Sequence, residues 1–216
     1  PDDVPVIVVD GSSDDTRRVL RATRPGNTTL LDCPGSLTAA RQLGAERAVT
    51  RWLLFTDADV TFAAEYFDRL RTRIAAHTAD GGAVGLLYGP KLSSGEFAAY
   101  YRAFAWAQRV VDLARIPAAS GSNMVIAAAA LAAVGGFDTT LTCNEDSELG
   151  WRIARAGYRC RFDPGLTVWA GDHRRLRRGR LRKTLHTAAR CFLLYFDLVP
   201  QRWRSRDWGY WSEPYS

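Results

Sequence analysis

Lysine is nearly missing from this 216-residue chain: Lys91 and Lys183 are the only lysines among 29 basic residues, so the net charge of +6 is almost wholly arginine. Much of the excess falls in residues 173–183, which hold His173, Arg174, Arg175, Arg177, Arg178, Arg180, Arg182 and Lys183. Guanidinium forks match phosphate oxygens bidentately, so a cluster of this kind suits phosphate, diphosphate or an anionic membrane surface. Nucleic acid is not expected as a partner, because no RNA- or DNA-binding motif accompanies the run. CxxC pairs are absent as well; Cys33, Cys143, Cys160 and Cys191 are scattered, which argues against a zinc site or a disulfide framework and for reduced thiols in a cytoplasmic protein. No apolar run approaches the roughly 20 residues that span a bilayer, and the chain is expected not to cross a membrane by itself. An initiator Met is missing too, and the apolar run 6–9 begins almost at once. A segment upstream is therefore expected to have been cut away, which deprives the lack of a signal peptide of any weight.

With 47% hydrophobic and 24% charged residues, the composition fits one globular domain with a sizeable core rather than a disordered chain. Short β-rich runs alternate with longer helical patterns, which predicts βα units and an α/β fold with a largely parallel sheet. Strands are expected at 6–9, 28–31, 52–56, 84–88, 122–126 and 158–162. Helices are expected at 16–22, 37–49 with Leu37, Ala40, Leu43 and Ala48 inward, 63–76, 97–114, 128–134 and 145–156. Gly135-Gly136 closes the helix before it in the usual way. Residues 181–198 read as an amphipathic helix with an aromatic patch. The organisation expected is one domain over 1–170 and a basic, aromatic helical extension over 171–216 packed on it.

In open α/β sheets ligands bind beyond the carboxyl ends of strands, which singles out Asp10 and the pair Asp57 and Asp59 around Ala58. Residues two apart in an extended segment point the same way, so both carboxylates of the pair can reach one cation. Hard oxygen ligands with room for waters and phosphates suit magnesium or manganese. Taken alone, the pair is better read as turn residues and helix caps. The apolar strand WLLFT in front of it favours the site. Carboxylates at 145–148 complement a helix dipole without further purpose; alternatively one of them removes a proton from an acceptor hydroxyl. The basic run is open between a solvated face, neutralisation of a leaving diphosphate and anionic lipid. Trp203, Trp208, Tyr210 and Trp211 either stack on sugar or pack on the domain, with packing favoured.

Five segments in this order resemble the family 2 glycosyltransferases, inverting enzymes with a GT-A fold: VIVVDGSSDDT, LTAARQLGAERA, WLLFTDADV, GSNMVIAAAALAAVGGFD and NEDSELGWRIARAGYRCRFDP. The resemblance implies a GT-A nucleotide-diphospho-sugar transferase that lacks the family's first strand and helix. It places Asp10, with Ser12 and Asp14 of the same loop, and Arg41 near the nucleobase. Asp57, Ala58 and Asp59 fall at ribose, diphosphate and metal, and Gly121, Asn123 and Arg175 at the nucleotide sugar. Asp146 becomes the catalytic base, Glu145 orients base or acceptor, and His173 joins Asp57 and Asp59 as a metal contact. Gln42 stands where Asn is usual, and the DGSSDDT loop is one residue shorter than the commonest form, which leaves Asp10 and Asp14 both open as the base contact. No QxxRW motif of processive synthases occurs, which favours transfer of a single sugar.

The function implied is metal-dependent, inverting transfer of a sugar from a nucleotide diphosphate to an acceptor hydroxyl. The acceptor is a sugar or a lipid-linked molecule, with peripheral contact to the inner face of an anionic membrane. Two alternatives are weighed beside it: a GT-A-like binding module without catalysis, and a sugar-phosphate nucleotidyltransferase. The latter would normally carry a Gly-rich basic loop near its start.

Overall fold

The computed structural model describes residues 3–79, 83–171, 176 and 179–206. β1 (Val6–Asp10) and β2 (Thr28–Asp32) pair in parallel, from Val6 opposite Thr28 to Asp10 opposite Asp32, with α1 (Thr16–Thr23) as the crossover. α2 (Leu37–Arg47) starts where the Ser36 hydroxyl accepts the Ala39 N–H, a cap worth about 1 kcal/mol. It lies on β1, where Val9 approaches Gly44 closely. Thr38 rather than Leu37 turns inward: Leu37 is exposed, and the buried Thr38 hydroxyl donates to the Leu141 carbonyl at 2.7 Å.

The central four-stranded sheet has the order β3 (Trp52–Phe55), β7 (Met124–Ala127), β5 (Val84–Tyr88), β8 (Arg159–Phe162). The fold class is the expected α/β, but the pairing is more mixed than the alternation of runs suggests. In this sheet β7 runs antiparallel to both neighbours, and β5 with β8 is the one parallel pair. All five residues of β5 are buried, because both faces of this sheet are covered. Leu86, Tyr88, Met124 and Ile126 meet α5 (Ala128–Ala133) and α6 (Glu145–Arg155) on one side. Val84, Leu87 and Val125 meet Tyr66 and Leu70 of α3 (Tyr66–Ala79) on the other. A Cβ on Gly85 would stand 2.8 Å from that of Ala130 and 2.7 Å from that of Tyr158, so only glycine admits this approach.

A three-stranded sheet, β4 (Val60–Phe62), β9 (Val168–Ala170) and β6 (Lys91–Leu92), has no counterpart in the sequence-based expectation. Strands of two or three residues are shorter than any period that sequence can display. α4 (Ala98–Leu113) follows β6. α7 (Arg180–Tyr195) packs on α6 through Leu194, Trp151 and Leu141, and leads into α8 (Gln201–Arg204). None of the described helices is long and apolar enough to cross a membrane. The four cysteines are free thiols.

Candidate active site

Gly121 and Ser122, just before β7, each anchor a carboxylate from a different part of the chain. The Gly121 N–H donates to Asp146 Oδ2 at 2.8 Å, and the Ser122 hydroxyl donates to Asp57 Oδ2 at 2.5 Å. Asp146 belongs to the first turn of α6, where its Oδ1 also accepts the Ser147 N–H at 2.7 Å. Asn144 enters that turn with a left-handed φ of 60°, a conformation in which Asn is several-fold enriched. Its side-chain amide is steadied by Cys191 of α7.

Arg41 of α2 reaches between these anchors. One guanidinium nitrogen donates to Asp57 Oδ1 at 3.1 Å, the other pairs with Glu145, and any side chain on Gly121 would collide with the guanidinium. Five of the expected site residues, Arg41, Asp57, Gly121, Glu145 and Asp146, thus meet in one cluster. Burial pushes the Glu145 pKa up, and the neighbouring Asp146 charge adds to this more than Arg41 opposes it. Burial acts in the same sense on Asp57. There the Ser122 hydrogen bond and the charges of Arg41 and Lys91 outweigh it, and the carboxyl is held below the ordinary range.

Asp10, Ser12 and Asp14 form a separate group at the end of β1. Asp10 accepts from the Ser12 hydroxyl at 2.7 Å and from Arg17, and Asp14 accepts the Thr16 N–H. The Ser12 bonds hold the Asp10 carboxyl low, as the Thr16 bonds do for Asp14. Asp14 lines an open hollow with Ser12, Ser13, Arg17, Arg18 and Arg21, whereas Asp10 is buried with its oxygens engaged by Ser12 and Arg17. His173 and Arg175 lie outside the described residues, as do Trp208, Tyr210 and Trp211.

Two expectations are revised by this geometry. β3 stops at Phe55, and Ala58 with Asp59 form a turn. The alternation of a strand therefore does not aim Asp57 and Asp59 together: Asp57 is tied inward, and Asp59 is exposed. Asn123, expected at the nucleotide sugar, is completely buried. Its Oδ1 accepts from the Tyr66 hydroxyl at 2.7 Å and its amide donates to the Leu166 carbonyl at 2.6 Å. It ties the sheets together behind the site and has no face towards a ligand.

The model of the family "Glycosyl transferase family 2" matches residues 1–132. The chain belongs to glycosyl transferase family 2. Over 170 residues it is 29% identical to the succinoglycan biosynthesis protein ExoA of Rhizobium meliloti, a match covering 71% of this chain and 50% of that protein. Over 147 residues it is 30% identical to the pre-mycofactocin glycosyltransferase of Mycobacterium tuberculosis, covering 63% of this chain and 30% of that one. The chain thus spans half or less of the length of these curated relatives. Among solved structures it resembles the mannosyltransferase PcManGT of Pyrobaculum calidifontis in complex with GDP-Man and Mn2+. The TM-score is 0.62 at 21% identity, over 96% of this chain and 64% of that one. It also resembles S. aureus TarS 1-349 in complex with UDP-GlcNAc, with a TM-score of 0.59 at 16% identity over 80% of this chain and 51% of that one. These likenesses establish the GT-A fold.

Within this family 2 domain two residues of the cluster escaped sequence reasoning, Ser122 and Lys91. Lys91, on β6, is buried; its ammonium donates to Ser122 Oγ at 3.0 Å and lies 3.8 Å from Asp57 Oδ2. The one available signal was its rarity as one of two lysines. No group of three or more His, Cys, Asp or Glu side chains among the described residues could enclose a metal. The donors present still fit a hard divalent cation, because such an ion keeps several waters and takes substrate phosphates with one or two carboxylates. Asp59 is an exposed carboxylate, whereas the Asp57 oxygens are already engaged by Arg41, Ser122 and Lys91.

Proposed function

We propose that this domain transfers a single sugar from a nucleotide diphosphate to an acceptor hydroxyl with inversion, and that Asp146 is the base. The observation that carries the reading is the pair of consecutive anchors, Gly121 to Asp146 and Ser122 to Asp57. They set a carboxylate suited to proton removal beside one suited to donor binding. Two backbone N–H groups fix the Asp146 carboxylate while leaving it partly exposed, which favours the reach and orientation a general base needs. The acceptor oxygen forms a bond to the anomeric carbon as its proton passes to Asp146. The bond to the nucleoside diphosphate breaks on the opposite side, and the electron pair leaves with the diphosphate.

Glu145, paired to Arg41, orients that arginine and through it Asp57. Asp10 or Asp14 receives the nucleobase, and Asp57 the ribose. A magnesium or manganese ion at Asp59, with His173 as a further contact, would supply positive charge to the departing diphosphate. Arg175 contributes charge to the same group. The solved relatives with Mn2+ and with GDP-Man or UDP-GlcNAc support a divalent cation and a nucleotide-sugar donor.

The test pairs two variants. Asp146→Asn is expected to abolish transfer, by at least about a hundredfold for a lost general base, while calorimetric donor binding persists. Asp59→Ala is expected to remove the manganese dependence of that binding. Unreduced turnover by Asp146→Asn would rule out the assignment of the base.

A further inference from the structure

α7 has two apolar faces, and only one of them is covered by the described residues. Inward, Arg190 and Leu194 are buried, and Cys191 meets Asn144 beside the first turn of α6. Outward, Leu181, Leu185, Phe192 and Phe196 are each 56–72% exposed. At 3.6 residues per turn these four fall within about 60° of one another, in a stripe about 22 Å long. Ala188 and Ala189, also exposed, fill its middle. Tyr195, part of the aromatic patch expected from sequence, turns instead onto Trp151, ring centres 5.2 Å apart. Beyond the helix the stripe continues into exposed Leu198 and Trp203, which line a cavity of about 440 Å³ with Leu193, Val199 and Pro200. Contiguous apolar surface of this extent on a soluble domain marks an interaction site.

The charge around the stripe selects the partner. Residues 180–196 carry no acidic side chain, Asp197 beyond them is paired with Arg204 at 3.2 Å, exposed Arg182 borders the stripe, and five further basic residues other than histidine, Arg174, Arg175, Arg177, Arg178 and Arg180, precede it in the sequence. A second copy of the chain would set this cationic surface against itself, whereas an anionic bilayer complements both the charge and the apolar line. We infer that the outer face of α7, with the Leu198 and Trp203 hollow at its end, is a peripheral docking surface for anionic lipid bilayers. It lies flat in the headgroup boundary, while Cys191 on the inner side of the helix meets Asn144 at the start of α6. The inference is independent of the reaction proposed above, since it concerns only the outer surface of one helix.

Vesicle co-sedimentation of the 216-residue chain tests it. Binding is expected to vesicles of equal phosphatidylcholine and phosphatidylglycerol, to be weak on phosphatidylcholine alone, and to fall with added salt. Phe192→Ser with Phe196→Ser, both at exposed positions, is expected to lower vesicle partition at least about tenfold, with the melting temperature essentially kept. Arg182→Gln is expected to weaken binding by a smaller factor. Failure of the unmodified chain to bind, equal binding to neutral vesicles, or undiminished binding by the double variant would each overturn the inference. So would a dimer in size-exclusion chromatography that the double variant dissolves, since the stripe would then be a contact between copies.

Discussion

Asp57 is held by three groups from separate parts of the chain, Arg41 of α2, Ser122 in the turn before β7 and Lys91 of β6. A carboxylate so placed keeps one orientation before any ligand arrives, which lowers the ordering cost of binding. Lys91 is the least expected of the three and the easiest to probe, because methionine matches its length without its charge. Asp57 is about a third exposed, so solvent screening limits the pair to about 1 kcal/mol. Lys91→Met is therefore expected to weaken donor binding by about fivefold, with a smaller change in kcat, while Lys91→Arg restores most of the affinity. Isothermal titration of the nucleotide sugar decides it; unchanged affinity would remove Lys91 from the positioning set. Asp57, Glu145 and Asp146 were legible as candidates in the sequence, since they sit at a strand end or a helix start, whereas Arg41, inside α2, was reached only through the family resemblance of its segment. Lys91 and Ser122 were not legible, because their role exists only where Lys91 of β6 meets Ser122 in the turn before β7. Asn123 erred the other way, a polar residue in a motif that the core uses for its own hydrogen bonds.

Among the elements, the long helices and the β5 and β7 strands follow their sequence patterns, since a buried strand or an amphipathic helix of four turns leaves a clear period. β4, β6 and β9 leave none, yet β6 carries Lys91 and the turn before β4 carries Asp59. The last elements are tied down by several polar contacts, among them Arg190 of α7 donating to the Arg204 and Arg206 carbonyls. Asp138, after α5, accepts from Arg204 of α8 at 2.9 Å and from the Thr140 hydroxyl at 2.6 Å. Both ends of that ion pair are largely shielded. Asp138→Ala is expected to cost about 1–3 kcal/mol and to release α8. A lower urea midpoint together with new proteolysis near residues 196–206 would register the change, and wild-type resistance in the variant would refute it.

For the molecule as a whole, Asp10, Asp14, Asp57 and Asp138 all have pKa values below the ordinary carboxylate range. At Asp138, burial is outweighed by the Thr140 bonds and Arg204. Groups whose folded values are depressed contribute stability above the unfolded value, about 4, and lose it as the pH falls through the folded value. Glu145 is raised, so its contribution is present below its unfolded value and disappears as the pH rises through its folded one. Four groups against one predict that stability declines on the acid side, below about pH 4. Urea midpoints recorded from neutral to acid pH measure this, and a flat profile would contradict it.

Local pattern alone determined the α/β class, the strand ends where carboxylates gather, the arginine-borne charge and most of the acidic candidates, because periodicity, turn chemistry and composition act over a few residues. Tertiary structure decided which candidates meet. Arg41 and Glu145 are 104 positions apart and touch, Asp57 and Asp59 are two apart with one tied inward and the other exposed, and among the described residues one apolar face of α7 is covered while the other is exposed. Contact across such separations depends on how helices and sheets pack, which no short stretch of residues encodes.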